Sequence, residues 1–297
     1  MMNNKYKIEF YKNRDLGERI SAATDFLKQN WKVIYKNIFL GAIPLSLISG
    51  FALQFYPMFN FAQLGGDVSG FPENMFLAIL GYWVVAIIYN TFLFAMTGAV
   101  LSEYGAGRLT EQSGWAELKG TMFSFFGKTL LINLILGLSM VIFCVLLVAF
   151  VFIVGAGNTA LIVLMVFIII LLVIGLTPFF TLAYYPAYYA GKSASESIRI
   201  AFGLGFRNWG TTFVVILLSS ILMAIVSVVL SMPHSIVSVF MMGSHNFLTF
   251  LLASIAAFGT AITVPFMCVF LSFQYFSIKE KEEGVSLQSK VDDFENL

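Results

Sequence analysis

Six long apolar runs, separated by polar segments, dominate the pattern of hydrophobic and polar positions along this chain. A bilayer core of about 30 Å needs about 20 predominantly apolar residues in helical form. Each run reaches that length, at approximately 34–56, 75–101, 129–154, 158–184, 211–231 and 247–276. The pattern therefore predicts an all-α integral membrane protein with six transmembrane helices. We interpret 15–276 as one membrane domain between an N-terminal tail, 1–14, and a C-terminal tail, 277–297.

The composition agrees with a membrane protein and argues against a large soluble core. Of the 297 residues, 59% are hydrophobic and only 11% are charged, whereas a soluble domain carries about 25% charged residues. The net charge of +1 gives no electrostatic footprint for nucleic acid. We therefore expect membrane lipids as partners, with a membrane or cytoplasmic protein as a further possibility, and no nucleic acid.

The basic residues indicate the orientation of the chain. All 17 Lys and Arg residues lie in the segment up to Lys36, between spans 2 and 3, between spans 4 and 5, or after span 6. The connections 57–74, 155–158 and 232–246 contain none. By the positive-inside rule, both termini are predicted to be cytoplasmic in a multi-pass protein of the cell (inner or plasma) membrane. Beyond Lys36, no acidic or basic residue lies within a predicted span, which counts against a proton-coupled transporter.

The polar segments that precede spans 1, 3 and 5 have a helical period of their own. Ser193 and Glu196 have the spacing of a capping box, so a helix is predicted to begin at Ser193. Apolar residues recur on one side of this helix: Ile198, Phe202, Gly205, Phe206 and Trp209. Similar patterns begin near Asp15 and Thr110. We therefore predict three helical hairpins, each preceded by a cytoplasmic amphipathic interfacial helix.

The return spans share a sequence pattern at a fixed offset. Pro178-Phe179 recurs 87 residues later as Pro265-Phe266, and the same offset carries Lys192 onto Lys279 and Glu196 onto Glu283. We interpret the chain as three copies of one unit, made of a surface helix, an outgoing span and a return span. The tyrosines at the end of span 4 are predicted to form an interfacial aromatic belt: Tyr184, Tyr185, Tyr188 and Tyr189.

Several short motifs carry a resemblance to a known family. They are TPFF at 177–180, P-x-x-x-x-G-K-S-A-x-E-S from Pro186, RNW at 207–209 and YFSIKEKEEGVSL from Tyr275. In these motifs the chain resembles the six-span membrane-domain superfamily that is fused to some bacterial glycerophosphodiester phosphodiesterases, together with related stand-alone bacterial membrane proteins. The resemblance implies an integral membrane domain. Since the sequence has no counterpart of the soluble phosphodiesterase domain, that activity is not implied.

The sequence offers little catalytic chemistry. It lacks a P-loop, a G-x-S-x-G elbow and an H-E-x-x-H motif. His234 and His245 have no Cys, Asp or Glu beside them to complete a metal site, and Cys144 and Cys268 lie in separate apolar runs. We expect no catalytic residue, cofactor or metal. An intramembrane lipid enzyme would have only scattered acids to use: Glu103, Glu111 and Glu196.

Two functional hypotheses follow. The first is a non-enzymatic membrane protein that binds lipid or a partner protein at the cytoplasmic leaflet, where basic and aromatic side chains meet headgroups. Its candidate contacts are Lys28, Trp31, Lys32, Arg199, Arg207 and Trp209. The alternative is a carrier or channel for a small neutral or amphiphilic solute, because polar groups and prolines within spans can line a cavity. Its candidate positions are Asn90, Asn133, Pro44, Pro178 and Pro265.

Overall fold

The computed structural model describes residues 8–54, 75–155, 159–240 and 246–285. Eight α-helices occupy these ranges: α1 (Leu16–Gln54), α2 (Met75–Gly105), α3 (Trp115–Gly155), α4 (Thr159–Thr181), α5 (Tyr184–Tyr189), α6 (Ala194–Arg207), α7 (Trp209–Phe240) and α8 (Phe247–Glu283). Six candidate membrane spans, formed by α1, α2, α3, α4 with the adjoining α5, α7 and α8, are long and apolar enough to cross a membrane. The all-helical architecture with six apolar spans is therefore confirmed.

The first helix is longer than the predicted span, because it absorbs the amphipathic segment that precedes it. A reciprocal cap begins α1: the Asp15 N–H donates to Glu18 Oε2 (3.1 Å), and the Glu18 N–H donates to Asp15 Oδ1 (2.8 Å). The helix then continues without interruption to Gln54. The apolar stripe of this segment is buried at Ala23, Leu27 and Ile34. These residues pack against protein, whereas Trp31 of the same stripe is 54% exposed. The predicted amphipathic segment is therefore part of α1 and does not form a separate helix.

The third helix likewise includes its preceding segment, but the contacts show a change of direction. The Trp115 ring lies 6.2 Å from that of Phe92, and the Thr121 hydroxyl donates to Glu103 Oε1 (2.8 Å). From Trp115 to Thr121 along α3, the contacted residue of α2 also moves forward in the chain, from Phe92 to Glu103. Further along α3, the Asn133 Nδ2 donates to Thr91 Oγ1 (2.9 Å). From Thr121 to Asn133 the contacted residue of α2 therefore moves backward in the chain, from Glu103 to Thr91. The first turns of α3 therefore do not run antiparallel to α2, whereas its later turns do.

The last helix, α8, lies between α1 and α7. Against α1, Gln274 accepts a 2.7 Å hydrogen bond from Arg19, and Ser254 meets Gly50 near the opposite ends of the two helices. Against α7, the side-chain amide Nε2 of Gln274 donates to Thr212 Oγ1 (3.0 Å). Both pairings are antiparallel, since residues late in α8 meet residues early in α1 and α7.

All described acidic and basic residues lie in four segments: 8–36, 103–128, 192–207 and 279–283. These segments contain the start of α1, the end of α2, the start of α3, α6 and the end of α8. We call this side of the molecule the charged end. It contains all described acidic and basic side chains, which are the groups that can bind a charged ligand.

The outer surfaces of α3 and α4 are apolar, in contrast to the charged end. Only 6% of the most apolar window of α3 and 11% of that of α4 are buried, compared with 67% for α2. Large apolar side chains cover these surfaces, among them Leu138, Val145, Phe150, Val163, Phe167 and Leu171. An apolar surface of this extent is unfavourable in water and is typical of helices that face lipid.

Candidate functional site at the charged end

The four tyrosines around α5 lie inside the protein. Tyr185 and Tyr188 are buried, and Tyr184 and Tyr189 are half-buried. This differs from the interfacial belt that the sequence predicted for them. The physical reason is that each hydroxyl has a polar partner inside the protein.

Those partners lie on α3 and α8, so α5 joins the two helices. The Tyr184 hydroxyl donates to Asn133 Oδ1 (2.7 Å), and the Tyr188 hydroxyl pairs with Thr129 Oγ1. On the other side, Tyr185 donates to the Cys268 carbonyl (3.4 Å). These bonds fix the tyrosine rings, because a ring held at its hydroxyl and packed on both faces keeps one orientation.

A break between α4 and α6 places α5 in this position. Pro186 provides the carbonyl that accepts hydrogen bonds from the N–H groups of Ala190 (3.1 Å) and Lys192 (3.2 Å). Gly191 then adopts a φ of 65°, which glycine tolerates at little cost. The chain turns here, and Ser193 begins α6 by accepting a hydrogen bond from the Glu196 N–H. The predicted start of this helix is therefore confirmed.

The N-terminal segment 8–15 packs across the charged end. The Phe10 ring lies 4.6 Å from that of Phe276 and 5.5 Å from that of Tyr104. It also meets Phe26 and Phe273 edge-on. We call these rings, together with Tyr185, Tyr188, Tyr189 and Tyr275, the aromatic cluster. Phe10 therefore connects a segment outside the helices to α1, α2 and α8.

Arg14 holds this segment in place. Its guanidinium donates to the carbonyls of Phe10 (3.1 Å) and Glu9 and lies 5.8 Å from the centre of the Phe273 ring. Its backbone N–H donates to Ser277 Oγ (3.2 Å). Burial lowers the pKa of Arg14, an effect that the nearby Glu9 and Glu18 oppose. The residue remains charged at neutral pH and joins the segment to the end of α8.

A pocket of about 710 Å³ opens beside this segment, within the size range of about 300–1,000 Å³ typical of small-molecule sites. Its apolar wall is formed by Leu101, Tyr188, Tyr189 and Phe276. Its charged residues are Glu9, Lys12 and Glu280. The pocket thus combines an aromatic wall with charges of both signs, which suits an amphiphile with a polar head.

The six predicted lipid contacts lie elsewhere at the charged end. Lys28, Trp31 and Lys32 lie on the exposed side of α1, where Trp31 is 54% exposed. On α6, Arg199 is exposed, whereas Arg207 donates to Glu282 Oε2 (3.3 Å). None of these residues, nor Trp209, lines the pocket.

The apolar face predicted for α6 is divided between the protein and its surroundings: the Phe202 ring stacks on that of Phe179 (5.3 Å) and Gly205 is buried, whereas Phe206 and Trp209 are exposed. The buried residues of α6 are small or aliphatic: Ala194, Ser197, Ala201, Leu204 and Gly205. Phe206 is 72% exposed, although its ring lies 4.6 Å from that of Phe179. The small residues allow α6 to approach the bundle closely. Most of the Phe206 side chain remains outside this contact.

The intramembrane polar residues predicted for a solute path bond to protein. The Asn90 amide donates to the Ala86 carbonyl in its own helix (2.9 Å). Asn133 donates to Thr91 (2.9 Å) and accepts from Tyr184 (2.7 Å). Asn90 therefore bonds within its own helix, and Asn133 links α3 to α2 and α5.

Two of the predicted proline kinks share a further feature. Proline cannot donate the helical hydrogen bond, and its ring displaces the preceding turn. Three residues before Pro178, the Gly175 carbonyl accepts from Trp209 Nε1 (2.8 Å). Three residues before Pro265, the Ile262 carbonyl accepts from the Tyr35 hydroxyl (2.9 Å). These carbonyls therefore have aromatic donors. Pro44, by contrast, lies on the exposed side of α1.

The bond to Gly175 can be tested by a double-mutant cycle. Trp209→Phe should destabilise the protein by about 1 kcal/mol, the net value of a typical hydrogen bond. In a Pro178→Ala background, the destabilisation caused by Trp209→Phe should be smaller. A regular helix can satisfy the carbonyls of this turn with its own backbone N–H groups. Thermal unfolding in detergent measures both effects, and Trp31→Phe is the matched control. Equal losses with and without Pro178 would contradict this account.

The acidic residues considered for catalysis do not form a group. Glu103 pairs with Arg108 (2.7 Å), Glu196 pairs with Lys192 (2.9 Å), and Glu111 is exposed in a connection. In the part of the chain that the structure describes, no three His, Cys, Asp or Glu side chains come together as metal ligands. His245 lies outside the described residues. The Lys192–Glu196 pair has a counterpart 87 residues later in Lys279–Glu283.

Sequence reasoning missed most of the pocket, because segment 8–14 belongs to the predicted tail. The available signal was the 87-residue offset, which aligns Tyr188 and Tyr189 with Tyr275 and Phe276.

Comparison of the chain with family models, with curated proteins and with solved structures returned no match. The geometry of the charged end is therefore the basis for assigning a function.

Proposed function

We propose that this protein is a non-enzymatic membrane protein that binds a phospholipid headgroup at the cytoplasmic leaflet. The observation that carries the proposal is the pocket of about 710 Å³ between segment 8–13, α2, α5 and α8. An aromatic wall beside charged groups matches the two parts of a phospholipid, its glycerol and upper acyl region and its polar head. The protein supplies position and selectivity, and no bond of the lipid changes.

The orientation belongs to the same proposal. The charged end lies on the cytoplasmic side, because all basic residues of the chain are in segments assigned to that side. Helix α6 lies in the interface, since its exposed Phe206 needs an apolar environment and its Arg199 needs a polar one. The reversal of contacts at the start of α3 supports a similar crossing segment there.

The carrier hypothesis has less support. Its candidate amides, Asn90 and Asn133, form hydrogen bonds within the protein. The carbonyls near Pro178 and Pro265 accept from Trp209 and Tyr35. The groups named for this hypothesis are therefore paired within the protein.

Native mass spectrometry of the full chain, extracted in a mild detergent, tests the proposal. We expect retained phospholipid in the unmodified protein and its loss in Ser102→Trp, because Ser102 lines the pocket and an indole would fill part of it. Ser124→Trp on the exposed side of α3 is the matched control and should retain lipid. The retained lipid should keep its mass during incubation.

Two results would contradict lipid binding at this pocket, and a third would contradict the non-enzymatic assignment. One is equal lipid retention by Ser102→Trp and Ser124→Trp, which would indicate non-specific lipid around the helices. The other is a co-purifying protein in place of lipid, which would make the pocket a protein-binding site. Conversion of the lipid during incubation would overturn the non-enzymatic assignment.

A further inference from the structure

The N-terminal segment both lines the pocket and packs into the aromatic cluster. We propose that residues 8–13, which we call the strap, close the pocket over its ligand and lift away when the ligand enters or leaves. This inference rests on the proposed function, since it describes how the ligand of the same pocket is admitted. Access to the site is therefore controlled by the strap, whereas α2, α5 and α8 stay in place.

One wall of the pocket consists entirely of the strap, because each of its residues belongs to the lining. The remaining lining residues lie on α2, α5 and α8. Without the strap, these helices would present an open face that contacts a ligand on one side only. The enclosed volume of about 710 Å³ therefore exists only while the strap is docked.

The strap lacks the backbone hydrogen bonds that hold a helix or a β-strand in place. Within the described part of the chain, no residue of the strap takes part in a backbone–backbone hydrogen bond. The Ile8 N–H donates instead to the side-chain hydroxyl of Tyr104 (3.0 Å). Segments that are held mainly by side chains open at a lower free energy than the packed helices around them. The strap is therefore the part of the lining that moves most readily.

The strap is fixed at one end and latched at the other. At the fixed end, the Arg14 N–H donates to Ser277 Oγ (3.2 Å), and the Arg14 carbonyl accepts from Arg19 Nε (2.8 Å). At the other end, the Phe10 ring stacks on that of Tyr104 within the aromatic cluster (5.5 Å). Lifting the strap therefore requires the Phe10 ring to leave the cluster, while Arg14 keeps its bonds to α1 and α8.

Phe10 couples this movement to ligand binding, because the same residue lines the pocket and packs against Phe276 in the cluster. A ligand in the pocket contacts the strap only in the docked state, so it binds the docked state more tightly than the lifted state. A ligand shifts a protein toward the state that it binds more tightly, and this coupling is reciprocal. Bound ligand should therefore hold the strap down, and a loosened latch should speed release of the ligand.

Cleavage by chymotrypsin after Phe10 measures lifting of the strap. The protease takes an aromatic side chain into its own specificity pocket, so the Phe10 ring must first leave the cluster. The full chain in one detergent is digested with and without an equimolar mixture of short-chain phosphatidylethanolamine and phosphatidylglycerol, and the product is identified by its mass. We expect lipid at about ten times its Kd to slow this cleavage about tenfold. Ser102→Trp should show no slowing.

Tyr104→Phe loosens the latch without altering the pocket lining, to which Tyr104 does not belong. The ring remains, and the hydroxyl that accepts from the Ile8 N–H is lost. We expect about fivefold faster cleavage without lipid, from the loss of one hydrogen bond. Exchange of bound lipid for isotope-labelled lipid, followed by native mass spectrometry, should be faster by a similar factor. Tyr35→Phe is the matched control, since it loses a hydroxyl bonded to the Ile262 carbonyl and should change neither rate.

The two measurements separate the strap from the lipid site. If lipid is retained but leaves the cleavage rate unchanged, the strap inference fails and the proposed function stands. If Tyr104→Phe speeds cleavage but not lipid exchange, the ligand enters by another route and the strap is not its gate. Equal cleavage rates in Tyr104→Phe and Tyr35→Phe would overturn the latch. If the unmodified protein binds no lipid, the proposed function fails together with the strap inference.

Discussion

Replacing Gly50 by Val should destabilise the protein by about 3 kcal/mol, the upper part of the range for overpacking in a close-packed interior. A Cβ atom at this position would lie 2.7 Å from the backbone N and 2.8 Å from the Cα of Ser254. Backbone atoms cannot rotate away as a side chain can, so α1 and α8 would have to separate. Small residues at helix contacts in membranes allow this close approach.

The measurement is thermal unfolding in detergent, with size-exclusion chromatography to detect aggregated protein. Gly137→Val is the matched control, since a Cβ atom at Gly137 meets nothing within 4 Å and the position is likewise helical. We expect the control to unfold at or above the temperature of the unmodified protein, because Val has the higher helix propensity. Similar unfolding temperatures for Gly50→Val and Gly137→Val would refute the close contact.

Replacing Phe10 by Ala should destabilise the protein by about 2–3 kcal/mol. This is less than the 3–5 kcal/mol typical of a fully buried Phe, since Phe10 is half-buried. The substitution removes ring contacts with Phe26, Tyr104, Phe273 and Phe276. It leaves Arg14 to hold segment 8–15 by hydrogen bonds. The segment should therefore open more often and become accessible to protease.

Limited proteolysis at the N-terminus and thermal unfolding together measure this effect. The matched control is Phe167→Ala, which changes an exposed Phe on α4 and should leave both readouts nearly unchanged. The variant should also retain less lipid, because segment 8–13 forms one wall of the pocket. Unchanged protease resistance in Phe10→Ala would show that the ring does not anchor the segment.

The sequence predicted the span count because the signal for a span is local. A helix satisfies its own backbone hydrogen bonds, so a sufficiently long apolar run specifies a membrane helix by itself. The helix ends were less accurate: α1 begins at Leu16, before the predicted span, and α8 continues to Glu283. Hydropathy marks only the apolar part of a helix, whereas the helix continues through polar residues until a cap or a turn ends it.

The tyrosines around α5 show where local reasoning failed. Tyrosine is common at membrane interfaces, and this favoured an interfacial belt at the end of span 4. The structure buries Tyr185 and Tyr188 because Cys268 and Thr129 accept or share their hydroxyl hydrogen bonds. These partners are 83 and 59 residues away along the chain. No local pattern around a tyrosine reveals a partner at that distance.

The sequence by itself determined the number of apolar helices, the concentration of charge on one side and the start of α6 at Ser193. Each depends on residues close together in the chain. The tertiary structure decided that the stripe of α1 faces α2 and α8, that Phe10 enters the aromatic cluster, and that a pocket forms beside it. These features depend on the rotation and register of packed helices, which side-chain shape sets across the bundle and hydrophobicity alone does not specify.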